Sequence, residues 1–262
     1  MRLSARILSI LFTLLLTVQG EPVLGARTKV VVRPAADRPV PEGAYGVCIP
    51  VRLSRDGVAV CRCDALLPTG ERVAALSGEE LAARGVPRLD EALPHWQGRG
   101  LRLFLELCPP AAEPLSEEAR AERELILRRA DAATCAAFAA ADAVCDCGPL
   151  AEKALQTAYE AGFRQGEVWL IADDAEVFAR YGGKSSKIPL CCLSPDGMSR
   201  SGVRGLFLHR THVGSKSDVK RLRKGGRRVV VWDVNSAEDA AAMCACGVDF
   251  IVTDDPEAIG DR

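Results

Sequence analysis

The chain has 262 residues, of which 48% are hydrophobic and 26% are charged, so it holds enough apolar material for one large core. The formal net charge of −1 and the pI near 6.3 exclude the strong positive charge on which general nucleic-acid binding depends. Composition therefore predicts a globular protein that has no nucleic-acid partner.

The amino-terminal residues 1–25 have the pattern of a secretory signal peptide. Arg2 and Arg6 flank the start of an apolar stretch at residues 7–18, and the small residues Gly20 and Gly25 mark possible cleavage sites. The apolar stretch is short for a helix that spans a membrane. We expect an exported, secreted protein whose single domain covers residues 27–262. The alternative is an uncleaved amino-terminal segment that anchors the chain, and this is the only membrane contact that we expect.

Short apolar runs predict the strands of the first half of the chain, two of them rich in β-branched residues and the last dominated by leucines. These strands cover residues 29–32, 47–53 and 101–108. Asp56 and Gly57 form a hairpin turn, after which residues 58–63 return antiparallel to the second strand. Helical patterns cover residues 89–96, 116–147 and 150–161.

The second half of the chain alternates strands with helical segments. Strands are predicted at residues 168–172, 188–193, 205–209, 228–232 and 249–253. A helix at residues 237–246 follows the potential N-cap residues Asn235 and Ser236. The count without the hairpin return is eight, so we predict an α/β fold. It is a TIM-type (β/α)8 barrel with a small β-hairpin insertion after the second strand.

Two compositional features stand apart from this pattern. The eleven cysteines are an odd number, and several lie so close together in sequence that any bridges are expected to join different segments. The basic run at residues 216–228 is expected to be a solvated helix face.

Three short motifs near the carboxyl end carry a resemblance to a known family. They are Trp232-Asp233-Val234-Asn235, Gly247-Val248-Asp249, and Thr253-Asp254 followed by Pro256. Their order and spacing resemble the W-T-V-N, G-V-D and T-D-x-P motifs of the glycerophosphodiester phosphodiesterases. Residues 48–60 are similar to the family's E-x-D-V-x-L-T-x-D-G-x-x-V segment, and residues 87–93 to its P-T-L-E-E segment. The resemblance implies a TIM barrel, phosphoric diester hydrolysis and a place in phospholipid head-group (lipid) metabolism.

The resemblance also assigns site positions. In that family two histidines act as acid and base, and carboxylates hold a divalent metal. In the same register the histidines fall on Arg33 and Cys63, and the first two metal carboxylates fall on Cys48 and Pro50. The third metal carboxylate is kept as Glu106, while a phosphate-binding lysine is replaced by Cys108.

These replacements predict weak or absent hydrolysis by the family's route. Arginine cannot hand over a proton near neutral pH as histidine does, and proline offers a metal no side-chain ligand. One alternative is a non-catalytic exported barrel that binds a phosphorylated or polyol ligand. Another is a site for zinc formed by Cys48, Cys63 and Cys108 around Glu106, since thiolates select soft metals. A Cys48–Cys63 disulfide and inert packing of these cysteines are the simpler interpretations.

Two further residues are candidates for ligand contact. His209 follows a predicted strand at the face where such barrels place their sites, although a histidine in a polar loop is often only solvated. Trp232 is expected either to form an apolar wall for a ligand or to face the helix layer.

Overall fold

A computed structural model describes residues 28–34, 40–109, 147–183, 186–195, 199–200 and 202–259. The predicted helix at residues 116–147 and the predicted signal peptide lie outside the described residues, apart from Cys147. Among the described residues, none of the helices is long and apolar enough to cross a membrane.

In the described part of the chain, nine strands form a single sheet. They are β1 (Lys29–Val32), β2 (Gly46–Leu53), β3 (Ala59–Cys61), β4 (Arg102–Leu107), β5 (Val168–Ile171), β6 (Leu190–Cys192), β7 (Val203–His209), β8 (Arg228–Trp232) and β9 (Phe250–Thr253). The predicted strands at residues 188–193 and 58–63 are thus confirmed in place but are shorter than expected.

Helices connect most of the strands. The α-helices are α1 (Gly78–Ala82), α2 (Leu89–Ala92), α3 (Gly148–Glu160), α4 (Ala175–Tyr181), α5 (Lys216–Leu222) and α6 (Ala237–Cys246). The predicted N-cap of α6 is Ser236, whose hydroxyl accepts a hydrogen bond from the Asp239 backbone N–H at 3.1 Å. Gly247 ends α6 in the left-handed conformation at φ 83°, which glycine adopts without steric cost.

The sheet closes on itself through β1. This strand pairs in parallel with β2, where Val31 opposes Gly46, and with β9, where Val31 opposes Val252. The order around the closed sheet is β1, β2, β4, β5, β6, β7, β8 and β9, all parallel to their neighbours. β3 lies outside this ring and pairs antiparallel with β2. The (β/α)8 barrel and its hairpin insertion are therefore confirmed.

Successive side chains along each strand point to opposite faces of the sheet, so they form two separate apolar layers. One set of side chains fills the barrel and is called the inner cluster. It consists of Val31, Cys48, Phe104, Ile171, Cys191, Phe207, Val230, Phe250 and Val252. A larger set lies between the strands and the surrounding helices. Parallel strands covered on both faces explain why their sequences are nearly continuous apolar runs.

Asp249, directly before β9, binds three hydrogen-bond donors from the segment around the start of β8. Its carboxylate accepts hydrogen bonds from the Val229 backbone N–H at 2.9 Å, from Arg223 Nε at 2.9 Å and from Arg228 Nη1 at 3.0 Å. Asp249 is buried, with 8% of its surface exposed. Part of the basic run at residues 216–228 is therefore structural, because Arg223 and Arg228 both bind Asp249, although the Arg228 side chain stays 60% exposed. The prediction of a solvated helix face is incomplete for these two arginines.

We predict that Asp249→Ala lowers the free energy of unfolding by about 2–3 kcal/mol, because it leaves a buried backbone donor and two arginines without their acceptor. The matched control is Asp90→Ala, which removes an exposed carboxylate paired with Arg88 and is expected to cost at most about 1 kcal/mol. Urea unfolding followed by circular dichroism measures both values. Equal losses in the two variants would contradict a structural role for Asp249.

Candidate functional site

The carboxyl ends of the parallel strands meet at one mouth of the barrel, where Arg33 lies between two carboxylates. Arg33 follows β1, and its Nη2 is 2.8 Å from Glu106 Oε2, while its Nη1 is 3.8 Å from Asp254 Oδ1. The side chains of Arg33 and Glu106 are only 23% and 15% exposed. β4 contributes Glu106, and Asp254 follows β9. The predicted positions Arg33 and Glu106 are therefore brought into direct contact.

Arg33 carries a permanent positive charge at this mouth. Burial alone lowers its pKa, but the opposing charges of Cys48, Glu106 and Asp254 outweigh burial and raise the pKa above that of a free arginine. Among the described residues, no group pairs with its buried Nε. An arginine held in this way is unable to act as an acid or base, but it can bind an anion.

Cys48 lies inside the barrel. It is fully buried in the inner cluster, and burial followed by the charge of Glu106 raises the pKa of its thiol to about 12. In the part of the chain that the structure describes, both Cys48 and Cys63 are free cysteines. The Cys48–Cys63 disulfide interpretation therefore finds no support, because the pleat of β2 directs Cys48 into the core.

Cys63, Cys108 and Glu106 form a cluster instead. The Cys108 thiol donates a hydrogen bond to the Cys63 sulfur over 3.9 Å. One ligand atom from each of the three residues lies within 4.8 Å of the others, and this is the group of potential metal ligands found among the described residues. The expectation that Cys48 belongs to this group is wrong, whereas Cys63, Cys108 and Glu106 are brought together as expected.

The two thiols of this cluster differ in acidity. Cys63 is exposed, and the hydrogen bond from Cys108 lowers its pKa to about 7, against an ordinary value of 9.0. The same hydrogen bond, together with burial, raises the pKa of Cys108. Cys63 is therefore the nucleophilic member of the pair, since the thiolate is the reactive form.

His209 lies at the end of β7 and pairs with Asp233. Its Nε2 is 3.0 Å from Asp233 Oδ2, and its Nδ1 is 2.8 Å from Thr211 Oγ1. The His209 ring meets Trp232 edge-on with ring centroids 4.7 Å apart, and Trp232 stacks on Phe207 of the inner cluster. Trp232 therefore faces the barrel interior, and the alternative of a helix-facing tryptophan is wrong.

Asp233 was not expected to be a site residue. It is the non-glycine residue with positive φ, at 65°, among the described residues, a conformation that aspartate tolerates better than most side chains. Its place directly after Trp232 at a strand end is the sequence signal that points to it. The arrangement of His209 and Asp233 can orient an imidazole and move a proton, as such pairs do elsewhere.

Asn235 links the two sides of the mouth. Its Oδ1 accepts from the Asp254 backbone N–H at 2.9 Å and from Thr253 Oγ1 at 3.2 Å. Its Nδ2 donates to Asp233 Oδ1 at 3.2 Å and to Asp254 Oδ2 at 3.3 Å. A chain of polar contacts thus runs from His209 through Asp233, Asn235 and Asp254 to Arg33.

A cavity of about 960 Å³ opens beside Arg33 and Cys63. Its walls include Arg33, Pro50, Cys63, His95 and Trp96. This volume falls within the range of about 300–1,000 Å³ that is typical of small-molecule sites. The cavity combines apolar and aromatic walls with a fixed cation, which suits a small anionic ligand.

Comparison with known proteins identifies the family to which this fold belongs. The model of the glycerophosphoryl diester phosphodiesterase family matches residues 38–258. The chain belongs to the glycerophosphoryl diester phosphodiesterase family. No curated protein sequence matches it significantly.

Solved structures from this family have the same fold. A candidate glycerophosphoryl diester phosphodiesterase from Silicibacter pomeroyi is 18% identical with a TM-score of 0.63, covering 91% of this chain and 94% of its own. A glycerophosphodiester phosphodiesterase from Parabacteroides distasonis is 21% identical with a TM-score of 0.60, covering 89% and 95%. An Oleispira antarctica phosphodiesterase in complex with the product sn-glycerol-3-phosphate is 17% identical with a TM-score of 0.60, covering 88% and 94%.

A hard divalent cation does not fit the three positions that the family resemblance assigns to it. Pro50 offers no side-chain ligand, and Cys48 is a buried thiol with a raised pKa. Glu106, the remaining carboxylate, is already paired with the Arg33 guanidinium at 2.8 Å. Mg²⁺ and Ca²⁺ need several oxygen ligands, so these residues do not provide their site.

We predict that Cys63 in reduced, chelator-treated protein is alkylated by iodoacetamide with a rate midpoint near pH 7, because its thiolate forms about two pH units below the ordinary 9.0. Cys108→Ala removes the hydrogen-bond donor, so the midpoint should move upward and alkylation at pH 7 should slow. Mass spectrometry of the Cys63 peptide gives both rates. The control is Cys246→Ala in α6, and a midpoint that is the same in all three proteins would contradict the predicted interaction.

Proposed function

We propose that this protein is a barrel of the glycerophosphodiester phosphodiesterase family that binds a small phosphorylated ligand and hydrolyses phosphoric diesters weakly or not at all. Its place would be in phospholipid head-group metabolism. The observation that carries the proposal is the ion pair of Arg33 with Glu106 at 2.8 Å at the mouth of the barrel.

The hydrogen-bonding chemistry of Arg33 supports an anionic ligand. A guanidinium presents a planar set of donors that suits the oxygens of a phosphate group. Arg33 is held by carboxylates from β4 and from the segment after β9, so little side-chain freedom is lost when an anion binds. The product complex of the Oleispira antarctica relative supports glycerol phosphate as the ligand class to test first.

Chemistry supports the loss of the family's hydrolysis. The expulsion of an alkoxide from a phosphodiester needs a proton donor near neutral pH, and Arg33 at the first family histidine position retains its proton. Cys63, at the second position, lies in a thiol pair with Cys108. The family's route therefore lacks its first proton donor and its hard metal, and any remaining hydrolysis would depend on Cys63 or on His209 with Asp233.

We predict that sn-glycerol-3-phosphate raises the melting temperature of the protein by mass action, because it binds the folded state alone. In Arg33→Gln the affinity should fall by about 10- to 100-fold, since charged hydrogen bonds contribute roughly 1.5–3 kcal/mol. Isothermal titration calorimetry measures the affinities. Addition of a chelator should leave the wild-type affinity unchanged if the ligand is held by Arg33 and not by a divalent metal.

The matched control is Arg180→Gln, which removes an exposed arginine paired with Glu152 on neighbouring helices. This variant should bind like the wild type. Equal binding by Arg33→Gln would contradict the proposal, as would rapid turnover of glycerophosphocholine that depends on Mg²⁺ or Ca²⁺ and disappears in Glu106→Gln.

We also propose that the protein is exported. The basic start, the apolar stretch at residues 7–18 and the small residues after it support a cleaved signal peptide. We expect the mature protein to begin after Gly20 or Ala26 and to be recovered outside the cytoplasm. Intact mass spectrometry of cell fractions tests this expectation. Protein with an intact Met1 in the membrane fraction would favour the anchor, and intact protein in the cytoplasm would contradict export.

A further inference from the structure

Two thiols and one carboxylate meet where the hairpin joins the barrel, and no step of the proposed ligand binding uses the thiols. Cys63 follows β3, while Glu106 and Cys108 lie at the end of β4. Both strands pair with β2, β3 in antiparallel fashion and β4 in parallel. The three residues therefore converge over the carboxyl end of β2 from opposite sides.

Arg52 of β2 holds the two ligand-bearing segments in place. Its Nε donates to the Cys63 carbonyl oxygen at 2.7 Å, and its Nη1 donates to the carbonyl oxygen of Pro109. One guanidinium thus ties the backbone beside Cys63 to the backbone beside Cys108. Such support from outside a site keeps its side chains in the geometry that a ligand requires.

We propose that Cys63, Cys108 and Glu106 form a binding site for one soft divalent metal ion, with zinc as the reference ion. Three groups that each offer a ligand atom lie within 4.8 Å of one another. Thiolate ligands select zinc and similar ions over Mg²⁺ and Ca²⁺. This inference stands apart from the proposed function, because it does not depend on a phosphorylated ligand.

The sulfur separation fits a shared metal ion. Two thiolates bound to tetrahedral zinc at about 2.3 Å lie about 3.8 Å apart. The Cys63 and Cys108 sulfurs are 3.9 Å apart, so both reach one ion with little movement. A disulfide would require the sulfurs to approach to about 2.05 Å. Glu106 lies beside the two sulfurs and has no role in a disulfide, so its presence favours a metal site over a disulfide.

The charges of the cluster also suit a divalent metal ion. Metal binding requires both thiols to lose their protons to solvent, which leaves two thiolates beside the Glu106 carboxylate. A divalent ion and the Arg33 guanidinium, which is 2.8 Å from Glu106, together balance these three negative charges, while Asp254, the second carboxylate beside Arg33, is 49% exposed to solvent. Pairing the less exposed charges in this way costs far less than leaving them unbalanced. In this arrangement Arg33, whose pairing with Glu106 disfavours a hard cation there, supplies a positive charge that balances the thiolates and Glu106.

Three protein ligands leave the fourth tetrahedral position open. Cys63, the exposed member of the three, lines the cavity of about 960 Å³, so the proposed site lies beside this open space. Zinc sites with three protein ligands and an open position take up water or a ligand atom there. The geometry thus matches an accessible metal site in which solvent completes the coordination.

The test is a titration of the reduced, metal-free mature protein with Co²⁺, followed by displacement with Zn²⁺. We expect one cobalt ion per chain, an intense near-ultraviolet band from thiolate coordination, and loss of that band when Zn²⁺ is added. Zinc should also protect Cys63 from alkylation until a chelator is added. Mg²⁺ and Ca²⁺ should neither displace cobalt nor protect Cys63.

Variants identify the ligands. Cys63→Ser and Cys108→Ser should each weaken Co²⁺ binding at least about tenfold, which is the scale of effect even for groups that only support a metal ligand. Because Cys108 is buried, circular dichroism should first show that its variant folds. If the Cys108 variant does not fold, Cys63→Ser still tests the proposal, because Cys63 is exposed. Glu106→Gln should weaken binding while leaving the thiolate band, and Cys246→Ser is the control that should change nothing.

Three outcomes would overturn the proposal. The first is the absence of tight Co²⁺ or Zn²⁺ binding by the reduced wild-type protein. The second is wild-type binding by Cys63→Ser. The third is a Cys63–Cys108 disulfide in protein isolated without reductant, combined with no metal uptake after reduction, because that result would make the pair a redox couple. Failure of glycerol phosphate binding bears on the proposed function alone, since zinc uptake does not require that ligand.

Discussion

The parallel pairing of β1 with both β2 and β9 is the constraint on which the rest of the structure depends. It closes the sheet and leaves the eight parallel strands without an open edge. Closure also brings the carboxyl ends of strands that are distant in sequence to one mouth. Arg33, Glu106 and Asp254 come from three different strand ends, and they are in contact only because the ring is complete.

The Arg33–Glu106 ion pair then determines which chemistry the mouth can support. In a half-buried position, a carboxylate next to a guanidinium is neutralised by a fixed cation, so it has little reason to attract Mg²⁺ or Ca²⁺. The cation gives up no proton near neutral pH, and its residue lines a cavity. The same interaction fixes a guanidinium at the mouth, and in the function proposed here this guanidinium contacts the anion.

The sequence predicted the barrel well because its signals are local. Each β-branched run is buried on both faces, the Asp56-Gly57 turn specifies the hairpin, and Ser236 and Gly247 define α6. The site was harder to predict because it depends on which way side chains point. The sequence grouped Cys48 with Cys63 in one possible metal site, but the pleat of β2 buries Cys48 in the barrel, whereas Cys63 lies beside Cys108. The Asp233–His209 contact joins two strand ends that only the closed sheet brings together.

Phosphorus NMR of glycerophosphocholine mixed with a stoichiometric amount of protein tests the central claim most directly, because one spectrum reports both binding and cleavage. The account predicts that the diester resonance broadens with the wild-type protein and remains sharp with Arg33→Gln. It also predicts that little or no phosphomonoester appears, with or without added Mg²⁺ or Ca²⁺. A phosphomonoester resonance that grows rapidly only when one of these ions is present would contradict the account, because it would require the hard-metal site that Arg33 excludes.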